Sequence, residues 1–321
     1  MKKMLSLVLV ALLALSLVAC AAPAAPTGEN TQPSGEKKTL AFLPPAMISP
    51  YYASCIAGAK PAAEALGYEL VTVAPEKESD YASQVQLVED MITRGVDGII
   101  LCAINTDAIT TAVKKANEAK IPVVMFNTQN ELASGEVSAY VRYDQREGGA
   151  KVADYVAEAM GGKANVAIIE GLPSEHTTER MGGFVDRCKE KYPEINVIIS
   201  QSGDWEREKG MNAAANMLQA KPEIDAFFAL CDEMALGAVQ AVKQANGKQK
   251  VFGFDGNPNA AEAVLAGDLM STLSIGGVNT GKLCVETLNK IIKGEQVEKI
   301  INVDTFIVNK DNAQEYLDQM K

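Results

Sequence analysis

From Thr39 onward, short unbroken apolar runs alternate with longer stretches whose apolar positions recur every three or four residues. The runs Thr39–Leu43, 69–73, Gly98–Leu101 and Val123–Phe126 read as strands, because unbroken apolarity suits strands covered on both faces. Residues 50–66, 79–93 and 106–119 between them carry the helical period. The same rhythm restarts after Asp144. It predicts helices over 144–160, 175–192, 206–220, 232–245 and 258–266, with strands at 165–169, 196–200, Ala226–Ala229, 251–254 and 269–273. From residue 278 the pattern adds a helix, a strand near 300–303, a second at Phe306–Val308 and a last helix. Strands alternating with helices predict parallel sheets with right-handed crossovers. The fold class expected is α/β, with two Rossmann-like parallel-sheet lobes. In such sheets ligands bind beyond the C-terminal ends of the strands. Two facing lobes therefore predict a cleft that closes by hinge motion.

The N-terminus follows a different pattern. Lys2 and Lys3 precede an apolar run over residues 4–19, too short for a comfortable span of about 20 residues. Residues 1–19 read as a secretory signal. The run ends Leu17-Val18-Ala19-Cys20, which resembles a bacterial lipobox, so Cys20 is expected to be lipidated and to become the mature N-terminus. Residues 20–37 are rich in Ala, Pro, Thr, Gly and Ser and predict a flexible tether. The expected location is the extracellular face of the cell membrane, or the periplasm if the cell has an outer membrane.

Charge and chemistry narrow the classes. The formal charge is −11, and loss of Lys2 and Lys3 takes it to −13, which argues against nucleic acid as a partner. Besides Cys20, the cysteines are Cys55, Cys102, Cys188, Cys231 and Cys284. Their odd number and wide spacing suit neither a disulfide framework nor a zinc site. His176, the single histidine, sits beside Glu175 and Thr177 and reads as a surface residue. No metal, cofactor or catalytic residue is expected, and a secreted hydrolase is disfavoured because no G-x-S-x-G elbow is present. Residues 276–282 fit G-x-x-x-x-G-K, but Leu283 stands where a P-loop needs Ser or Thr, so the match reads as chance.

Four motifs carry a resemblance: Cys231-Asp-Glu-Met-Ala-Leu-Gly-Ala238, Val251-Phe-Gly-Phe-Asp-Gly256, Arg180-Met-Gly-Gly-Phe184 and Ser49-Pro-Tyr-Tyr52. With them the chain resembles the ribose-binding branch of the type I periplasmic solute-binding proteins across nearly all of residues 38–308. The resemblance implies a monomeric binding lipoprotein that hands a small neutral, sugar-like ligand to the permease of an ABC importer. An alternative is a sensor that reports its ligand to a membrane receptor kinase. Sugar-responsive repressors of the same family carry a helix-turn-helix where this chain has an export signal. The implied crossovers fall near residues 142–144, 274–276 and 304–305. Lobe 1 would then be 38–142 plus 276–304, and lobe 2 would be 143–275 plus 305–321.

The resemblance also assigns residues. Ser49 before Pro50 looks like a helix N-cap with a first-turn proline, which puts Tyr51 and Tyr52 at the cleft edge, packed on sugar ring faces. Trp205, the single tryptophan, follows a strand and suits a stacking platform. Arg180 is expected to donate to ligand hydroxyls through its fixed fork of donors, and Asp255 to accept from them. The family's ribose binders place Asp-Arg where this chain has Asn127-Thr128. They place Asn at Cys102 and Cys231, and Gln at Ile275. Asn127 is expected to bond the ligand, with Thr128, Cys102, Cys231 and Ile275 as altered pocket positions. Cys102 and Cys231 read as small apolar lining rather than a redox couple. These departures predict a ligand that engages fewer hydroxyls than ribose.

Overall fold

The chain reaches the first strand at Thr39 and runs β1 (Thr39–Leu43), α1 (Pro50–Ala65), β2 (Glu69–Thr72), α2 (Tyr81–Arg94), β3 (Gly98–Leu101), α3 (Thr106–Glu118), β4 (Val123–Phe126) and β5 (Ala139–Arg142). It continues through α4 (Gln145–Ala159), β6 (Ala164–Glu170), α5 (Glu175–Lys191), β7 (Ile195–Ser202), α6 (Arg207–Ala220), β8 (Ala226–Ala229) and α7 (Asp232–Gln244). The last third holds β9 (Lys250–Asp255), α8 (Pro258–Ala266), β10 (Ser271–Ser274), α9 (Gly277–Ile292), β11 (Ile300–Asn302), β12 (Phe306–Val308) and α10 (Ala313–Gln319). This computed structural model describes residues 37–320. The signal, Cys20 and the tether up to residue 36 lie outside the described residues.

The strands form two six-stranded sheets, ordered β11-β5-β4-β3-β1-β2 and β12-β10-β9-β8-β6-β7. All four residues of β3, β4 and β8 are buried, as expected of central strands flanked by helices on both faces. Side chains close the starts of several helices. Asp80 accepts from Ser83 N at 2.9 Å, Asn105 from Ala108 N at 2.8 Å and Asp144 from Glu147 N at 2.9 Å. Each such cap contributes about 1 kcal/mol and fixes where its loop hands over to a helix.

Two features depart from the hydrophobic pattern. β5 is absent from the expected strands: Ala-Tyr-Val-Arg follows a polar loop and ends on a charge, and becomes a strand by pairing with β4 and β11. The second sheet is also not wholly parallel, because β12 runs antiparallel to β10. The reason lies in the connection. β11 runs parallel to β5, and a three-residue link over 303–305 carries the chain straight into the other sheet. It enters from the C-terminal ends of the parallel strands, so β12 runs against them.

Helices α4 and α5 pack backbone to backbone. A Cβ at Gly149 would lie 2.0 Å from Arg180 O, and one at Gly183 would lie 1.8 Å from Arg146 O. This reciprocal contact fixes the α5 turn that carries Arg180.

Candidate functional site

Loops at the C-terminal ends of both sheets enclose a cavity of about 880 Å³. From the first sheet, Ser49, Tyr51, Tyr52 and Asn127 line it; from the second, Arg180, Trp205, Cys231 and Asp255 do. Thus eight of the eleven residues expected to shape the ligand site meet at one place. Cys102, Thr128 and Ile275 are not on the cavity surface. Cys102 sits behind Tyr52, with its Sγ 3.7 Å from the Tyr52 hydroxyl. Thr128 turns its hydroxyl back to donate to Phe126 O at 3.1 Å. Ile275, just past β10, is fully buried in the core.

Asp255 ends β9 at φ +127°, an uncommon conformation for a residue with a side chain, and is followed by Gly256 at φ +75°. The surrounding structure enforces that turn. Asp232, fully buried at the start of α7, accepts from Asn257 N at 2.7 Å and from Thr272 Oγ1 at 2.6 Å. Thr272 Oγ1 in turn accepts from Gly256 N at 3.0 Å, and Tyr316 of α10 donates to Gly256 O at 2.5 Å. Asn257 precedes α8 without capping it through its side chain; its backbone N–H is what the loop uses.

Arg180 is buried beside Asp255, with Nη1 3.2 Å from Oδ1. Its other partners are Leu230 O at 2.6 Å, the Tyr143 hydroxyl at 2.8 Å and Gln145 Oε1 at 3.2 Å. Four of its five N–H groups thus have protein acceptors, so it acts mainly as the base on which Asp255 is set. Its guanidinium also lies 4.2 Å from the Phe254 ring centroid and 5.7 Å from that of Trp205. Glu179 and Asp186, the alternative partners nearby in sequence, pair with Arg146 instead. Burial pushes the Asp255 carboxyl up, Arg180 draws it back, and it settles at about 6.

Trp205 is held in an unusual loop. Asp204 and Trp205 both adopt positive φ, at +51° and +66°, and Ser202 braces the turn by donating to Asp204 at 2.6 Å. Gly171 makes room for the indole, since a Cβ there would lie 2.0 Å from its six-membered ring. On the other wall, Ser49 precedes α1 without capping it through its side chain. Tyr51 and Tyr52 pack edge to face with centroids 5.3 Å apart.

Three residues at the site escaped the sequence reading. His176 is not a surface residue: it lines the cavity, and its Nε2 donates to Asn127 O at 2.8 Å. Burial, then the charge of Arg180, lowers it to about 3, so the ring is neutral. Gln84, on the inner face of α2, donates to Cys102 O at 2.8 Å and accepts from Ile104 N at 2.9 Å, which shapes the loop after β3. Glu78, from the β2–α2 loop, also lines the cavity. Burial raises the thiols of Cys102, to about 12, and Cys231, so both stay protonated.

The chain is similar to known proteins over most of its length. The family model described as "Periplasmic binding protein domain" matches residues 40–296. The ribose import binding protein of Bacillus subtilis is 33% identical over 305 residues, covering 94% of this chain and 97% of that protein. The D-allose-binding periplasmic protein of Escherichia coli is 30% identical, with 82% and 89% covered. Among solved structures, an ABC transporter periplasmic solute-binding protein from Actinobacillus succinogenes with bound D-allose is 34% identical. It aligns with a TM-score of 0.83 over 87% of this chain and all of that one (100%).

Proposed function

The chain belongs to the periplasmic binding protein family, and on that premise we propose that it captures a small neutral sugar or sugar-like molecule for an ABC importer. The observation that carries this reading is the cavity between the two sheets, whose wall holds both Asp255, seated on Arg180, and the Trp205 ring. A carboxylate accepts from adjacent hydroxyls with charge-assisted bonds. An indole face covers the apolar C–H side of a sugar ring. Binding alone suffices for this role, and no chemical step is invoked.

The two sheets act as lobes, divided at 142–144, 274–276 and 304–305. The ligand enters between them, and their closure presents a joint surface to the permease. The protein works outside the cytoplasm as a monomer, tethered through a lipid on Cys20. Thermal-shift measurement against D-ribose, D-allose, D-fucose, myo-inositol and xylitol tests the reading, since a ligand that binds only the folded state raises its stability. At least one should raise the melting temperature in a concentration-dependent way. No shift from any of them, together with none from the protein's native growth medium, would sink the proposal.

A further inference from the structure

Besides the Tyr51 hydroxyl, which has no partner, the cavity holds two acceptors left unmet. Asn127 is 2% exposed and held at φ +51°; its carbonyl is taken by His176, yet its side-chain Oδ1 has no donor. Glu78 lines the same cavity, and among the described residues no group donates to its carboxylate. The cations in the wall are mostly occupied. Arg180 holds Asp255; Arg207 holds Glu233 through two bonds of 2.9 Å; Lys209 holds Asp204 at 3.1 Å and Glu206 at 2.8 Å. Lys77 remains, exposed to solvent.

We infer that Glu78 is a ligand-binding residue, the first sheet's counterpart of Asp255, and that the bound molecule is an uncharged polyhydroxy compound whose hydroxyls donate to both carboxylates. This rests on the binding reading above. Asn127 Oδ1, buried without a donor, keeps its desolvation cost, and the half-buried Glu78 carboxylate keeps part of it. Hydroxyl donors from the ligand remove that cost at Glu78 and at Asn127 together. A carboxylate or phosphate on the ligand would meet two like charges and no free buried cation. Sugar acids and sugar phosphates are therefore disfavoured, the exposed Lys77 being the one unpaired cation in the described wall.

The proton balance at Glu78 follows. The titratable groups facing it are Asp255 and Arg180 from the second sheet, with the neutral Tyr52 on α1 and Cys102 after β3. Burial first, then Asp255, push its carboxyl up to about 7, against the pull of Arg180. Hydroxyl donors favour the charged form and lower it again. Ligand binding then releases a proton near neutral pH, and affinity climbs as pH rises through about 7.

The test uses the full mature chain and whichever of D-ribose, D-allose, D-fucose, myo-inositol and xylitol gives the largest thermal shift. Calorimetry from pH 5.5 to 8.5 compares the wild type with Glu78→Gln and Glu78→Asp. Circular dichroism checks that both fold. The wild type should bind more tightly towards pH 8 and should not bind D-ribonate or ribose 5-phosphate. Glu78→Gln should bind roughly tenfold more weakly at pH 8 and lose the part of the pH dependence centred near 7. Any slope that persists in it belongs to Asp255. Glu78→Asp should keep a pH dependence. Equal affinity and an identical profile for Glu78→Gln would overturn the role of Glu78 while leaving the binding reading intact. Binding of ribose 5-phosphate as tight as that of the neutral compound would overturn the ligand class. If neither the five compounds nor the native growth medium gives a shift with the wild type, both readings fall.

Discussion

His176 Nε2 and Asn127 O, 2.8 Å apart, join the start of α5 on one sheet to the loop after β4 on the other. Beside them Glu175 accepts from the backbone N–H groups of Gln129 and Asn130, the latter at 3.1 Å. These are direct lobe-to-lobe bonds at the cavity edge. His176→Ala should weaken binding of the preferred ligand by about two- to tenfold, the worth of one hydrogen bond of roughly 0.5–1.5 kcal/mol. Calorimetry measures it, and an unchanged affinity would mean that these bonds play no part in closure.

His176 also predicts a pH effect on folding. Its ring is held neutral down to about 3, whereas in the unfolded chain it gains a proton near its ordinary 6.5. The unfolded state therefore binds more protons between those values. The stability His176 contributes is complete above pH 6.5 and is lost as pH falls through that window. Denaturant melts at pH 7.5 and 4.5 should differ less in His176→Gln than in the wild type. An equal difference in the two proteins would exclude the histidine as the source.

At the far wall, Asp255→Asn keeps the size of the side chain and removes its charge. The change should weaken binding by roughly 1–3 kcal/mol through the lost charge-assisted bonds. Asp255→Ala should also destabilise the fold, because Arg180 would be left buried and unpaired; breaking such a pair costs about 3–5 kcal/mol. Chemical denaturation separates the two effects, and an Asp255→Ala protein as stable as wild type would refute the base role given to Arg180.

Trp205→Ala should cost roughly 1–3 kcal/mol of binding from lost ring contact. Gly171→Ala should reproduce much of that loss without touching the indole chemically, because the new methyl would occupy the place of the ring, 2.0 Å away. The intrinsic fluorescence of the single tryptophan reports its displacement directly. A Gly171→Ala protein with wild-type emission and affinity would show that the indole position is not set by this contact.

Cys20→Ser should abolish lipid attachment, leaving the protein unprocessed or released into the medium. Mass spectrometry of the membrane fraction and an immunoblot of the medium decide it. Membrane association that persists without a lipid adduct would remove Cys20 as the anchor.

Much of the fold is legible in the hydrophobic pattern, since central strands such as Gly98–Leu101 and Val123–Phe126 must be unbroken apolar runs to be buried on both faces. β5 was not legible, because its place depends on β11, which arrives from some 160 residues later in the chain. The same holds at the site. Arg180, Trp205 and Asp255 follow strands or begin helices and are marked by their neighbours. Glu78 lies in the run Glu76-Lys77-Glu78-Ser79-Asp80, which reads as a solvated loop; only the turn from β2 into α2 brings residues 76–79 to the cavity. His176 sits among polar residues in sequence; Arg180 lies one helical turn further along α5, but Asn127 is met only through the approach of the two sheets.

The bonds from Glu175 and His176 to the opposite lobe act before any ligand is chosen. If the lobes close as proposed, these bonds lower the work of closing and so raise the fraction of empty molecules already in the binding-competent shape. Apparent affinity is intrinsic affinity scaled by that fraction. The scaling is common to every ligand and cancels from any ratio of affinities. Changes at 175 or 176 should therefore move all ligands up or down a common scale without reordering them, while changes at 78, 205 or 255 should reorder them. Retuning this protein to a scarcer or more abundant supply of one compound, and retuning it to a different compound, would then proceed at separate sets of residues.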